Sequence, residues 1–144
     1  MVYIEELNVH NWLETCNLSV SMEQREIFSV PNVYWVGISR YEEKSTLFAI
    51  KSDECIVGLL GLGYDEDGVS GFINPLMIDE RYQKKGYATE AMKLAIEYLR
   101  ENLKVSVINL GHRKNNMVAA HLYDRLGFVI YGEDEDDYHR KLVL

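Results

Sequence analysis

Cysteine and proline are scarce in this chain, two of each in 144 residues. Cys16 and Cys55 are too few for a disulfide framework. With no Cys-x-x-Cys and no His-Glu-x-x-His spacing, no metal site is expected. Cys55 opens an apolar segment and reads as a small core residue. No apolar run approaches the ~20 residues that cross a bilayer, so no membrane partner is expected. The N-terminal Met-Val-Tyr-Ile-Glu-Glu has neither a basic start nor an apolar stretch. It is therefore not read as a signal peptide, and a cytoplasmic location is the expectation. Asn17-Leu18-Ser19 then has no meaning as a glycosylation acceptor. Positive charge is also short: 15 Lys and Arg against 23 Asp and Glu leave a net charge of −8. That argues against nucleic acid as the main partner and suits a cationic one through long-range attraction. Solubility alone also accounts for an acidic excess.

What is present is an ordinary globular composition, 47% hydrophobic and 26% charged. There is no internal repeat, low-complexity tract or linker, so residues 1–144 are read as one domain. Val2 to Leu7 alternates as a strand. Asn8 or Asn11 caps a helix over about residues 10–18, and Ser21 caps another to about Phe28. Pro31 disfavours helix at Val30, and a short helix to about Tyr41 follows. Thr46 to Lys51 and Cys55 to Tyr64 form a hairpin around Ser52-Asp53-Glu54. Asp65 to Gly68 turns into a strand from Val69 to Ile78. Pro75 removes a ladder donor inside that strand and argues for an edge, a splay or a bulge. Tyr87, Ala91, Leu94, Ala95, Tyr98 and Leu99 line one face of a helix from Tyr87 to about Asn102. Val105 to Leu110 is a strand, and Asn116 to Leu126 a helix stopped by Gly127. Phe128 to Tyr131 and Tyr138 to Val143 are strands around the acidic turn Glu133 to Asp137. This mixture of strands and helices specifies an α+β, or mixed α/β, domain.

Two stretches carry chemistry. Gln83-Lys84-Lys85-Gly86-Tyr87-Ala88 joins the strand ending Leu76-Met77-Ile78 to a helix. The first amides of a helix lack carbonyl partners and sit at the positive end of its dipole, which makes an anion receptor. Gly86 lets a ligand come close, Lys84 and Lys85 add charge, and the expected ligand is a pyrophosphate. The loop matches neither the P-loop nor the dinucleotide fingerprint. The second stretch is Asn116 to Phe128, with Asn116, Tyr123, Gly127 and Phe128 spaced along and past one helix.

Taken together, these stretches resemble the GCN5-related N-acetyltransferases. Gln83, Gly86 and Ala88 match that family's coenzyme loop, and Asn116, Tyr123, Gly127 and Phe128 match its later helix. The resemblance covers roughly residues 2–143. Ala88 stands where glycine is commoner. The Met77-Ile78-Asp79-Glu80 run and Val30-Pro31-Asn32 look most like bacterial polyamine acetyltransferases. Asn74-Pro75 departs from that subset and places the acceptor in more doubt than the donor. The resemblance implies a central, mostly antiparallel, twisted sheet of six or seven strands with about four helices. One strand pair would splay to hold the coenzyme.

The implied reaction moves acetyl from acetyl-CoA to a primary amine, such as spermidine or spermine, by direct transfer in a ternary complex. Backbone amides from Gln83 to Thr89, that is Gln83, Lys84, Lys85, Gly86, Tyr87, Ala88 and Thr89, would hold the pyrophosphate. Met77 and Ile78 would pair with the pantetheine arm like a neighbouring strand. Asn116 would fix the arm, and Tyr123 would be the general acid; helical spacing also allows Tyr123 a plain core role. Arg113 and Lys114 are candidates for an adenosine phosphate. No general base is assigned: Val69 to Ile78 holds no carboxylate or histidine, and Asp79, Glu80 or a water chain remain open. The acceptor is expected among residues 10–41 and 65–67. Candidates there are Glu14, Glu23, Glu26, Glu42, Glu43, Asp65, Glu66 and Asp67, with Tyr34, Trp35 and Tyr64. Neither cysteine lies near the two motifs, so no acyl-enzyme is implied. A homodimer is allowed. The rival readings are acetylation of a protein N-terminus or lysine, of an aminoglycoside or amino acid, and a coenzyme A-binding sensor without catalysis.

Overall fold

The computed structural model describes residues 1–28 and 30–144. Among them are seven strands in one sheet of order β1-β2-β3-β4-β5-β7-β6. The strands are β1 (Val2–Glu6), β2 (Ser45–Ser52), β3 (Cys55–Tyr64), β4 (Ser70–Ile78), β5 (Val107–Arg113), β6 (Val129–Glu133) and β7 (Asp137–Val143). The helices are α1 (Trp12–Cys16), α2 (Asn32–Tyr41), α3 (Tyr87–Glu101) and α4 (Met117–Leu126). Every strand pair is antiparallel except β4 with β5.

Period-two alternation sends successive residues of the central strands to opposite faces. Phe48, Ile50, Val57, Leu60 and Leu62 pack with Ala91, Met92, Ala95 and Leu99 of α3 and with Leu122 and Tyr123 of α4. Leu47, Ala49, Ile56, Leu59 and Met77 pack on the other side with Leu18, Val20, Trp35 and Val36. The sheet is thus sandwiched between α1–α2 and α3–α4.

The expected helix from Ser21 to Phe28 is reduced to a 3₁₀ turn over Met22–Gln24. Met22, Glu23, Arg25 and Glu26 are exposed, so this segment has too narrow an apolar face to stabilise a helix through packing. Tertiary bonds set its path instead. The buried Asp79 carboxylate accepts from the Ser19 amide at 3.0 Å, and Glu80 N donates to Ser19 O at 2.9 Å. Likewise the helix expected over 10–18 shrinks to the five residues of α1.

The sheet opens at its centre. β4 and β5 are paired only at Ser70–Val107, Gly71–Ile108 and Phe72–Asn109. On its other edge β4 slips register against β3 between Leu60 and Leu62, opposite Asn74-Pro75. Pro75 therefore marks both features that its missing N–H announces. Gly61 makes the irregularity feasible, because a Cβ there would lie 2.4 Å from Asn74 O and 2.6 Å from Pro75 Cδ.

Candidate active site

Where β4 and β5 part, a cleft of about 1240 Å³ runs through the sheet and is lined by both halves of the molecule. One wall is the start of α3. Gly86 takes a left-handed φ of +84° and begins the helix without any side-chain cap. The first helical bond is Glu90 N to Gly86 O at 3.2 Å, so the amides of Tyr87, Ala88 and Thr89 precede the ladder. Nothing lies within 4 Å of a Cβ built on Gly86. This open, unpaired helix end fits a diphosphate by its donor set alone. Gln83, Lys84, Gly86, Tyr87, Ala88 and Thr89 all line the cleft, whereas Lys85 is exposed outside it.

Gln83 is a fastener rather than a free donor. Its Nε2 donates to Ile78 O at 2.9 Å and to Gln24 Oε1 at 2.8 Å, while Gln24 Nε2 donates back to Gln83 Oε1 at 3.1 Å. The coenzyme loop is thereby tied to the end of β4 and to the 22–24 turn. Of the two expected strand partners, only Ile78 turns its backbone toward the gap. Asp79 N donates to Val57 O, and Met77 O lies against Gly58 of β3. Strand alternation then puts Ile78 and Leu76 on the open side. Leu76 was missed, although counting by two from Ile78 reaches it.

The opposite wall is α4. Asn116 caps this helix, its Oδ1 accepting from Ala119 N at 3.1 Å, and its Nδ2 has no protein partner among the described residues. Tyr123 is buried, with ring centroids 5.7 Å from His112 and 5.8 Å from Phe128. Burial pushes its phenol up to about 12, against the lowering pull of the Arg140 guanidinium. Its hydroxyl has no protein partner, yet no side-chain N or O fully closed off from solvent lacks one among the described residues. The hydroxyl therefore opens to the cleft that Tyr123 lines.

Behind it Arg140 donates to His112 Nε2 at 2.8 Å, to Asp124 Oδ1 at 2.6 Å and to Phe128 O at 3.1 Å. His112 Nε2 is thus an acceptor, which assigns the ring proton to Nδ1, 2.9 Å from Arg113 O. The ring packs on Tyr123 and holds it in place.

Several expected roles are corrected. Asp79 has its oxygens filled by Ser19 N, Arg81 N and the Arg81 side chain. Burial pushes its carboxyl up, but these donors outweigh it and hold the group below the usual carboxylate range. It is a structural staple and no base. Arg113 pairs with Asp136 and Asp137, and Lys114 with Glu133, so neither is a free phosphate ligand. Of the eight acceptor carboxylates only Asp65 lines the cleft, and of the three aromatics only Trp35. Glu66 is held by Lys44 at 2.7 Å, and Asp67 accepts from the Val69 and Ser70 amides. Asp137, not anticipated, is the other lining carboxylate. Cys16 also reaches this cleft, although it is remote from both motifs in sequence. No helix among the described residues is long and apolar enough to cross a membrane.

Comparison with known proteins gives the family. The chain is 42% identical over 72 residues to the spermine/spermidine N(1)-acetyltransferase of Bacillus subtilis (strain 168). That match covers 49% of this chain and 47% of the relative, so only about half of the relative's length is spanned. Acetyltransferase PseH of Campylobacter jejuni is 42% identical over 131 residues, covering 91% of this chain and 81% of that protein. Superposition on the solved PseH structure with acetyl coenzyme A gives 21% identity over 99% of each chain at a TM-score of 0.71. The structure of Vibrio cholerae spermidine N-acetyltransferase with CoA and spermine superposes at a TM-score of 0.82. It is 18% identical and is covered to 95% by 99% of this chain. The pattern of the acetyltransferase (GNAT) family matches residues 7–128, and the chain belongs to that family.

Proposed function

We propose that the protein is an acetyl-CoA-dependent N-acetyltransferase acting on a primary amine, with an aliphatic polyamine as the favoured acceptor. The observation that carries this reading is the meeting, in one cleft, of the unpaired amides opening α3 and the hydroxyl of Tyr123. Acetyl-CoA supplies an activated acyl thioester. Tyr87, Ala88 and Thr89 amides hold its diphosphate, and the gap-facing backbone of Leu76 and Ile78 pairs with its amide-bearing arm. Asn116 Nδ2 is left to bond the arm from the other side.

The acceptor nitrogen forms the new C–N bond as the C–S bond breaks. Tyr123 gives its proton to the departing sulfur, and the amine's surplus proton leaves through water. Donor and acceptor meet in the cleft together, and no protein nucleophile intervenes. The polyamine acceptor is supported by the names of several relatives and by the net charge of −8.

The test is thiol release from acetyl-CoA against spermidine, spermine, butylamine, an aminoglycoside, amino acids and peptides. Release with the aliphatic amines is expected, and activity with peptides alone would discard the polyamine reading. Tyr123→Phe should lower kcat roughly 100-fold or more, the scale of general acid catalysis, with KM for the amine little changed. An unaltered kcat at saturating amine removes Tyr123 from the chemistry.

A further inference from the structure

Asn32 is buried, at 6% exposure. It is the first residue of α2, and its Nδ2 donates to the Thr15 carbonyl of α1 at 2.9 Å. The same nitrogen lies 3.7 Å from Met77 Sδ on β4. These contacts decide the orientation of the amide: the nitrogen faces α1, which turns Oδ1 the other way. No donor reaches Oδ1 among the described residues, yet no side-chain oxygen there is both sealed from solvent and unpartnered. Oδ1 must therefore look into the cleft, whose lining includes Asn32. Its sequence neighbours that line the cleft, Phe28, Val30, Pro31 and Trp35, are apolar, while Gln24 and Arg25 of the preceding turn line it as well.

We infer that Asn32 Oδ1 is the hydrogen-bond acceptor that seats the reacting amine, a specificity element that rests on the acetyltransferase reading. A neutral amide oxygen accepts from an amine or an ammonium N–H. Unlike a carboxylate, it does not strongly favour the ammonium form. That matters because only the neutral amine has a lone pair to give, and its reference pKa of ~10 already opposes deprotonation at pH 7. The near absence of carboxylates from the cleft lining is then part of the design. The apolar wall selects an alkyl stem, and the single oxygen selects its terminal nitrogen.

The test is steady-state kinetics of Asn32→Ala and Asn32→Asp with spermidine and butylamine, alongside calorimetric binding of acetyl-CoA and thermal melting. Removing the acceptor should raise amine KM roughly 10-fold, which is ~1.4 kcal/mol, the scale of one neutral hydrogen bond. The dissociation constant of acetyl-CoA should stay the same. Asn32→Ala also deprives Thr15 O of its donor, but a partly unfolded sample lowers apparent kcat and leaves KM where it was. Asn32→Asp keeps an oxygen at the site and should recover much of the amine KM. An unchanged KM in an active Asn32→Ala enzyme overturns the inference, as does a KM rise matched by equal loss of acetyl-CoA affinity. A wild type that binds acetyl-CoA and acetylates nothing in the panel overturns the proposed function, and the inference with it.

Discussion

Burial of Tyr123 has two opposed consequences. It places the hydroxyl where water is scarce, and it raises the phenol to about 12, so giving up the proton becomes harder. Donation to a thiolate of reference pKa ~8.5 is then uphill by about 5 kcal/mol at ~1.4 kcal/mol per unit. A thiolate departing in the same dry cleft is itself poorly solvated, which raises its proton affinity and narrows that gap. The pull of Arg140 on the phenol is already contained in that value of about 12. The raised value also has a stability signature. Between pH ~10 and ~12 an unfolded tyrosine loses its proton while the folded one keeps it, so this contribution is intact below ~10 and is lost as pH climbs to 12. Denaturant titrations of wild type and Tyr123→Phe from pH 9 to 11.5 should show the wild type losing stability faster. The remaining tyrosines cancel in the comparison, and parallel curves would mean that Tyr123 is not buried as described.

At the scale of elements, two glycines separate packing from binding. At Gly61 a methyl group would collide with Asn74 O and Pro75 Cδ, both fixed by the slip in β4. Gly61→Ala should cost about 3 kcal/mol, or roughly 10 °C of Tm, seen by thermal melting. Gly86 has the open space but a left-handed φ, so Gly86→Ala should cost only about 1 kcal/mol. Its larger effect should be on acetyl-CoA, whose calorimetric dissociation constant should weaken roughly 10-fold as the new methyl meets the diphosphate. Equal stability losses for the two variants would contradict this division.

The same elements show what a sequence can disclose. The start of α3 at Gly86 was legible because a helix start and a glycine are local features, and Pro75 marked the splay because a missing N–H is local too. The 22–24 turn was misread as a helix because its path is set by Ser19 on Asp79 and Gln24 on Gln83. Those bonds span about 60 residues and leave no trace in periodicity. Asn32 was hidden for the same reason: its role depends on which end of its amide meets Thr15. The acidic residues misled in the other direction, since charge shows in composition while its pairing does not.

For the molecule as a whole, the net charge of −8 and the lining of the cleft pull apart. Most carboxylates proposed to grip a polyamine lie outside the cleft lining, and one of them, Glu66, is already paired with Lys44. On the proposed polyamine reading, the acidic surplus would act on the acceptor at a distance, as a field that raises its local concentration, and not as a row of contacts. Such a field is screened over a Debye length, which falls from ~30 Å at 0.01 M salt to ~3 Å at 1 M. Raising sodium chloride from ~0.02 to ~0.5 M should thus lower kcat/KM for spermidine several-fold. Most of that loss should appear in the second-order term, because the chemistry in the cleft is shielded from bulk ions. Butylamine, with a single charge, should lose much less, and kcat at saturation should hold for both. A salt effect confined to kcat, or equal for the two amines, would mean that the charge surplus does not steer the acceptor and serves solubility alone.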